Sequence, residues 1–169
     1  MREPVIYLAG SIRDGYPRDE EWREEFILAL RDYACILNPL GGKSFDEATG
    51  KWYVSGIETS ANFIVDHDFW AVDISDIIVF NFLALADRYP NIGTLTEWGR
   101  STGRSVIRYS ILPERYSGHE NSRMFGLHPF IAKCSAAIFH STDDCLDFLR
   151  QHVMVLSGAD PSFKGRRKS

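Results

Sequence analysis

The chain has few cysteines, and their arrangement argues against two common kinds of site. Only three occur in 169 residues, at positions 35, 134 and 145. An odd number of widely spaced cysteines, without a Cys-x-x-Cys pair or a Cys/His ligand pattern, does not suit a disulfide framework or a structural zinc site. We therefore expect a protein of the reducing cytoplasm that holds no metal.

Long apolar runs and an excess of positive charge are also missing. No hydrophobic run approaches the ~20 residues of a membrane-spanning helix, and residues 1–4 lead directly into an apolar strand without a signal-peptide pattern. The net charge of −4 provides no basic surface for nucleic acid or for an anionic membrane. The short basic end at residues 164–168 is typical of a solvated tail. We expect small-molecule partners, no nucleic acid and no membrane.

The loop after the first apolar run lacks both common phosphate-binding signatures. Residues 10–15 contain neither the Gly-Lys-Ser/Thr of a P-loop nor the spacing of a dinucleotide fingerprint. The backbone N–H groups of such a loop can still form a nest for a sugar or a phosphate, and a plain strand-to-helix turn is the alternative. The candidate substrate-binding residues here are Gly10, Ser11, Ile12 and Arg13, with Trp22 in the helix that follows.

Short apolar runs alternate with amphipathic segments, which is typical of an α/β protein. The runs predict buried parallel strands at residues 5–9, 35–37, 77–80, 105–109 and 136–139. Helices are predicted at residues 19–31, 60–74 and 95–103, and a closing helix is capped by Thr142 or Asp143, with Leu146, Phe148 and Leu149 on its inner side. Residues 40–59 show little periodicity and are interpreted as a lid or binding loop, with partial disorder as the alternative. The order predicts a doubly wound α/β sheet in one domain of residues 1–157, followed by a flexible basic tail at 158–169.

The stretch from Asn91 to Gly99 is the strongest candidate for a functional site. Gly93 permits a close backbone approach, Thr94 fits the N-cap of a helix from Leu95, and Glu97 then falls in its first turn. Unpaired N–H groups and the helix dipole favour a carboxylate there. Glu97 is therefore either a reactive carboxylate at the ligand-binding edge of the sheet or a simple complement to the helix dipole.

Three ordered motifs within residues 5–109 together resemble the nucleoside 2-deoxyribosyltransferases. They are Tyr7-Leu8-Ala9-Gly10-Ser11, then Asp68-x-x-x-Val72-x-x-x-Asp76, then Asn91-Ile92-Gly93-Thr94-x-x-Glu97-x-Gly99. The resemblance implies a flavodoxin-like fold, a dimeric or larger assembly, and exchange of the base of a 2′-deoxynucleoside. It implies that Glu97 is the nucleophile, that Tyr7 orients it, and that Asp68 handles the base.

The resemblance also marks further residues and one departure. The segment from Asn121 to Met124 is similar to one that enters the neighbouring subunit's site. Asn91 stands where the transferases usually carry an aspartate that holds the sugar 5′-hydroxyl. Related nucleoside-monophosphate N-glycosidases carry a serine there, and their first loop resembles residues 10–13.

The chemistry of these residues fits cleavage of a bond between a sugar and a base. Departure of a base from C1′ passes through an oxocarbenium-like state, which a carboxylate can trap covalently while a second acid protonates the base. No cofactor is needed. Asp66-His67-Asp68 is not a metal site in this interpretation, because adjacent residues on one helix point in different directions.

Three functions therefore remain open from the sequence. The first is transfer of 2-deoxyribose between nucleobases. The second is hydrolysis of the N-glycosidic bond of a nucleoside 5′-monophosphate by the same glutamate. The third is a non-catalytic module that binds or senses nucleotides, against which the joint presence of Glu97, Asp68 and Tyr7 argues.

Overall fold

The computed structural model describes residues 2–12, 18–46, 48–84, 92–113 and 129–159. The strands and helices of these segments follow in the order β1 (Val5–Gly10), α1 (Arg18–Leu30), β2 (Cys35–Leu37), β3 (Lys43–Asp46), β4 (Lys51–Val54), β5 (Ile57–Thr59), α2 (Ala61–Ile74), β6 (Ile77–Asn81), α3 (Ile92–Ser101), β7 (Ile107–Ile111), α4 (Pro129–Cys134), β8 (Ala137–Phe139) and α5 (Thr142–Ser157). No helix in these segments has the length and hydrophobicity that a bilayer crossing requires. The basic tail predicted from position 158 lies outside the described residues from 160 onward.

The main sheet has five strands in the order β2-β1-β6-β7-β8. Each neighbouring pair is parallel. Counted along the chain, these strands have the order 2-1-3-4-5 of the flavodoxin-like doubly wound fold. The fold class predicted from the sequence is therefore confirmed, as are all five predicted strands of the sheet.

Alternation along β1 divides the core between the two faces of the sheet. Ile6 and Leu8 pack with apolar residues of α1 and α5, whereas Tyr7 and Ala9 pack with residues of α2, α3 and α4. Successive side chains of a strand point to opposite faces, so this assignment follows directly from the sequence once β1 is recognised. As a result, Tyr7 faces the two helices that carry Asp68 and Glu97.

The prediction that residues 40–59 form a long irregular loop is wrong, whereas their role as a lid or binding segment stays a prediction. Most of this segment forms a second, antiparallel sheet in the order β3-β4-β5. Its second turn consists of Ser55 and Gly56, both with positive φ (50° and 79°), which is typical of the two-residue turns that match the twist of a hairpin. Strands of three or four residues that contain several lysines and acids show too little hydrophobic periodicity to be recognised. We call these three strands the small sheet.

Two predicted helix starts are also wrong. Helix α3 begins at Ile92 rather than Leu95, so Thr94 is not an N-cap but lies buried within the first turn, and Glu97 falls in the second turn. Helix α5 is capped by Ser141, whose Oγ accepts a hydrogen bond from the N–H of Asp144, and not by Thr142 or Asp143. In both cases a polar residue close to the true start matched the cap pattern, because Ser and Thr are favoured at several positions near a helix start.

Smaller corrections concern element ends and one helix face. Strand β7 runs two residues later than predicted and includes Ile111, which was assigned to a loop. On α5 the inward positions are Cys145, Leu149 and Val153, whereas Phe148 is exposed. The inward residues are spaced by four, which is the spacing that one helical face requires.

Candidate functional site

The side chains of Tyr7 and Glu97 are in direct contact in the interior of the protein. The Tyr7 hydroxyl donates a hydrogen bond of 2.6 Å to Oε1 of Glu97, and both residues are buried. Glu97 belongs to the inward face of α3, which consists of Thr94, Glu97, Trp98 and Ser101. Positions three and four apart lie on one side of a helix, so the periodicity that buries Trp98 also buries the carboxylate.

Burial dominates the electrostatics of this pair. It raises the pKa of Glu97 from its ordinary value to about 7, and the negative charge of Asp68 also raises it. The hydrogen bond from Tyr7 and the positive charges of Arg23 and Lys43 lower this pKa, but they do not outweigh burial. Burial and the two carboxylates raise the pKa of Tyr7 well above its ordinary value. Tyr7 therefore remains a neutral donor, while the protonation of Glu97 changes near neutral pH.

Asp68 reaches the same place from α2 and is paired with a lysine. The ammonium of Lys43, on β3, makes a salt bridge with Oδ1 of Asp68, and the Lys43 side chain is only 3% exposed. Asp68 and Lys43 both lie close enough to act electrostatically on Glu97. The structure thus brings together the three predicted catalytic residues and adds Lys43.

Sequence reasoning missed Lys43 for a definite reason. No motif in residues 40–59 marks it, and its partner lies 25 positions away on another element. The only available signal would have been the Ser55-Gly56 turn, which predicts a hairpin and therefore an inner and an outer face. On the small sheet, Lys43 lies opposite Val54, whereas the neighbouring residue Ser44 lies opposite Tyr53 on the other face.

Arg23 is a second buried cation that sequence reasoning missed. Its Nε donates to the carbonyl of Leu8, and both terminal nitrogens donate to the carbonyl of Ser11, each at 3.2 Å. These bonds hold the first loop where it leaves β1. A Cβ on Gly10 would lie 3.0 Å from the Trp22 ring and 3.1 Å from Arg23, so close packing against α1 accounts for the glycine.

The remaining predicted substrate-binding residues have different surroundings. Trp22 lies in the core, 4% exposed and packed edge-on against Phe26, which leaves little of its side chain for a ligand. The Oγ of Ser11 is buried without a hydrogen-bond partner in the described segments, whereas Ile12 is exposed. Gly93 is exposed on α3, and Thr94 is buried beside Glu97 on the inward face.

Four of the predicted substrate-binding residues cannot be placed. Arg13, Asn91, Asn121 and Met124 lie outside the described residues. Among the residues that are described, no cluster of three or more His, Cys, Asp or Glu side chains is arranged to hold a metal ion.

Comparison with solved structures identifies the architecture around these side chains. A 2-deoxyribosyltransferase from Leishmania mexicana superposes with a TM-score of 0.61 at 17% identity, over 88% of this chain and 98% of that one. A CMP N-glycosidase from Clostridium botulinum, BcmB, superposes with a TM-score of 0.52 at 15% identity, over 87% and 98%. The chain has the fold of these two enzymes.

The structural likeness confirms, at the level of the fold, the resemblance that the three motifs indicated. No family model matches the chain, and no curated protein matches it. At these identities the likeness establishes the architecture alone.

The buried carboxylate should make the stability of the protein depend on pH. The folded-state pKa of about 7 lies above the ~4.3 of an unfolded glutamate, so the folded state binds this proton more tightly. Its contribution to stability is fully present below the unfolded pKa and is lost as the pH rises through 7, a change on the order of 3 kcal/mol. We expect Glu97→Gln to melt at a higher temperature than the wild type at pH 8, with the difference closing towards pH 5.

Thermal melts at both pH values, followed by circular dichroism, measure this effect. Glu58→Gln is the matched control, because Glu58 is exposed and paired with Lys51. A Glu97→Gln difference from wild type that is the same at pH 5 and pH 8 would contradict the assignment of a buried, proton-binding carboxylate.

Proposed function

We propose that the protein transfers 2-deoxyribose between nucleobases through a covalent intermediate on Glu97. The observation that carries this proposal is the hydrogen bond from Tyr7 to the buried carboxylate of Glu97, next to Asp68. Support also comes from the fold, which is shared with a 2-deoxyribosyltransferase and a CMP N-glycosidase. Both kinds of enzyme act on the bond between a sugar carbon and a base nitrogen.

In the first half-reaction, Glu97 displaces the base from C1′. Tyr7 binds Oε1, which leaves Oε2 to form the bond to C1′ as the C1′–N bond breaks. The electron pair of that bond goes to the base nitrogen. The base is then protonated by a proton donor in the part of the site that contains Asp68. A sugar without a 2′-hydroxyl ionises readily at C1′, so a carboxylate and a proton donor suffice.

In the second half-reaction, the nitrogen of a new base attacks C1′ and releases Glu97. Two displacements on opposite faces return the original configuration, as in retaining glycosidases. If water attacks instead of a base, the same intermediate gives hydrolysis. The difference between a transferase and a hydrolase therefore lies in which acceptor reaches C1′ and not in the nucleophile.

Replacement of Tyr7 by phenylalanine should lower the ionised fraction of Glu97 at neutral pH without removing the carboxylate. Loss of a hydrogen bond to a charged group costs about 1.5–3 kcal/mol, so we expect kcat/KM to fall about 10- to 100-fold. Because the bond from Tyr7 lowers the pKa of Glu97, the acid limb of the kcat/KM profile should also move to higher pH. Profiles from pH 5 to 9 measure both effects.

Tyr53→Phe is the control for this variant, because Tyr53 lies on the face of the small sheet away from Lys43. It should leave the profile unchanged. An acid limb that stays in place in Tyr7→Phe would mean that the hydrogen bond does not control the ionisation of the group that reacts.

The decisive test of the proposal is an exchange assay with Glu97→Ala beside the wild type. The protein is incubated with a deoxynucleoside and a second free base, and products are separated by chromatography. We expect the exchanged nucleoside, a transient deoxyribosyl adduct on wild-type Glu97 by mass spectrometry, and a loss on the order of 10³-fold or more in Glu97→Ala. Free base without exchange would favour the hydrolase, and binding without turnover would favour a sensing module.

Hydrolysis of a nucleoside 5′-monophosphate is the second candidate, favoured by Asn91 and by the CMP N-glycosidase fold. An aspartate at position 91 would repel a phosphate. An asparagine suits either group, because its amide oxygen can accept from a hydroxyl and its NH2 group can donate to a phosphate. An arginine can make a bidentate contact to phosphate, and Arg13 of the first loop, outside the described residues, is the candidate for it. The acidic chain contains no dense basic cluster, so we expect nucleosides to be preferred.

Measurement of kcat/KM for deoxynucleosides and for their 5′-monophosphates tests this preference. We expect the higher value for the nucleosides and little effect of Arg13→Ala on them. A strong monophosphate preference that collapses in Arg13→Ala would overturn this choice and support the glycosidase.

The proposed enzyme is a homo-oligomer. Support comes from the outer face of α2, where Phe63 and Trp70 are 47% and 52% exposed and their rings flank His67 at 6.4 and 5.9 Å. Exposed apolar patches of this kind commonly mark subunit contacts. Light scattering measures the subunit number, and a monomer would refute this assignment.

We also propose one catalytic domain of residues 1–157 in a cytoplasmic protein. The support is the continuous alternation of strands and helices and the widely spaced cysteines. Subcellular fractionation and limited proteolysis test the two assignments, and cleavage into two stable fragments would contradict the first.

A further inference from the structure

Lys43 is the most deeply buried lysine that the structure describes in the region of the site. Its side chain is 3% exposed, and its ammonium donates to Oδ1 of Asp68, whose side chain is 18% exposed. An ammonium is costly to bury and is retained in protein interiors where a counter-charge and a function require it. The direction of this hydrogen bond is fixed, because the ammonium can only donate and the carboxylate can only accept.

The direction of this hydrogen bond indicates which side chain can protonate the departing base. We propose that Lys43 is the proton donor to the base and that Asp68 is a positioning residue that holds the Lys43 ammonium in place. This inference rests on the proposed function, and it assigns the role of proton donor to Lys43 instead of Asp68. A carboxylate that accepts an ammonium N–H has no proton to give, whereas the ammonium has three N–H groups and the contact with Asp68 uses one.

The position of Lys43 fits this role. The small sheet brings the ammonium from β3 to α2, while Glu97 comes from α3 and Tyr7 from β1. The nearby charged and titratable groups are Asp68 and His67 on α2 and Glu97 on α3. Tyr7 on β1 and Arg23 on α1 act on the same Glu97. Its positive charge lowers the pKa of Glu97, so Lys43 lies within electrostatic reach of the nucleophile without contacting it. A base between Glu97 and Lys43 would have the nucleophile on its sugar side and a proton donor on the other.

The proton inventory of the reaction balances with this assignment. As Glu97 bonds to C1′, the electron pair of the C1′–N bond passes to the base, and one Lys43 N–H proton moves to a base nitrogen. The products are a neutral base, a neutral lysine amine and a glutamyl ester. When the next base attacks C1′, its N–H proton returns to the amine, or water supplies that proton in hydrolysis. Nucleobase N–H groups and alkylammonium groups are both weak acids, so transfer between them is closely matched in energy.

Two substrates separate proton donation from every other role of Lys43. The first is the deoxynucleoside that the wild type turns over fastest in the exchange assay. The second is an N-(2-deoxyribosyl)pyridinium salt, whose pyridine leaves as a neutral molecule and needs no proton. Single-turnover rates, kcat and KM are measured with both substrates for the wild type, Lys43→Met, Lys43→Arg, Asp68→Asn, the Lys43→Met/Asp68→Asn double variant and Glu97→Ala. Lys51→Met is the matched control. Lys51 belongs to the same small sheet but is 48% exposed and lies opposite Asp46 on the other face from Lys43.

We expect Lys43→Met to slow the deoxynucleoside about 10²- to 10³-fold, the usual range for loss of a general acid, and to leave the pyridinium rate within a few-fold of the wild type. Asp68→Asn should show the same selectivity with a smaller loss. The double variant should be no slower than Lys43→Met, because Asp68 acts through Lys43. Lys43→Arg should retain KM and melting temperature without recovering kcat, because a guanidinium keeps its charge but does not release its proton.

Each contrary outcome identifies a different error. Equal slowing of both substrates by Lys43→Met, or recovery of kcat in Lys43→Arg, would mean that Lys43 only supports the structure. A normal deoxynucleoside rate in Lys43→Met, together with selective slowing in Asp68→Asn, would mean that Asp68 is the proton donor. If the wild type cleaves neither substrate, or if Glu97→Ala keeps the pyridinium rate, the proposed function itself fails, which is distinct from a failure of the Lys43 assignment.

Discussion

The constraint on which the site depends is the burial of a carboxylate on the inward face of α3. Glu97 lies between Thr94 and Trp98 on a face that packs against the sheet, so it loses most of its hydration. One short hydrogen bond from Tyr7 compensates for part of that loss, and burial still dominates its pKa, which is about 7. A carboxylate of this kind can ionise near neutral pH and is poorly solvated in its ionised form. Both properties favour attack on an electrophilic carbon.

The rest of the structure holds other charges around this group. Arg23 and Lys43 lower the pKa of Glu97, whereas Asp68 raises it. Arg23 is fixed by carbonyl groups of Leu8 and Ser11, and Lys43 is fixed by Asp68. Each cation therefore has hydrogen-bond partners other than Glu97, and Glu97 accepts its hydrogen bond from Tyr7. Charges that are held in place around a reacting group preorganise a site.

Sequence reasoning recovered what periodicity encodes and missed what depends on pairing between distant segments. The five main strands were predictable because each is a short apolar run, and the grouping of Tyr7, Asp68 and Glu97 was implied by the resemblance that the three motifs carry. Lys43 was not predictable, because the polar small sheet shows little periodicity and Asp68 lies on another element. The start of α3 was misplaced by three residues because Thr94 resembles a cap. That shift reversed the expected electrostatics of Glu97: a first-turn acid is stabilised by the helix dipole, whereas the observed residue is destabilised by burial.

The arrangement of charges is also consistent with the direction in which charge moves during the proposed reaction. With Glu97 ionised, the two anions and two cations of the site sum to zero. When Glu97 forms an ester with C1′, its negative charge disappears there and appears on the departing base. Without a proton donor, the site would then hold a base anion in surroundings of low dielectric, which is unfavourable. Lys43 is the cation that is paired with Asp68, and transfer of its proton to the base leaves every new species neutral. The proposed nucleophile on α3 is thus separate from the Lys43–Asp68 pair on β3 and α2, as a reaction that carries charge from the sugar to the base requires.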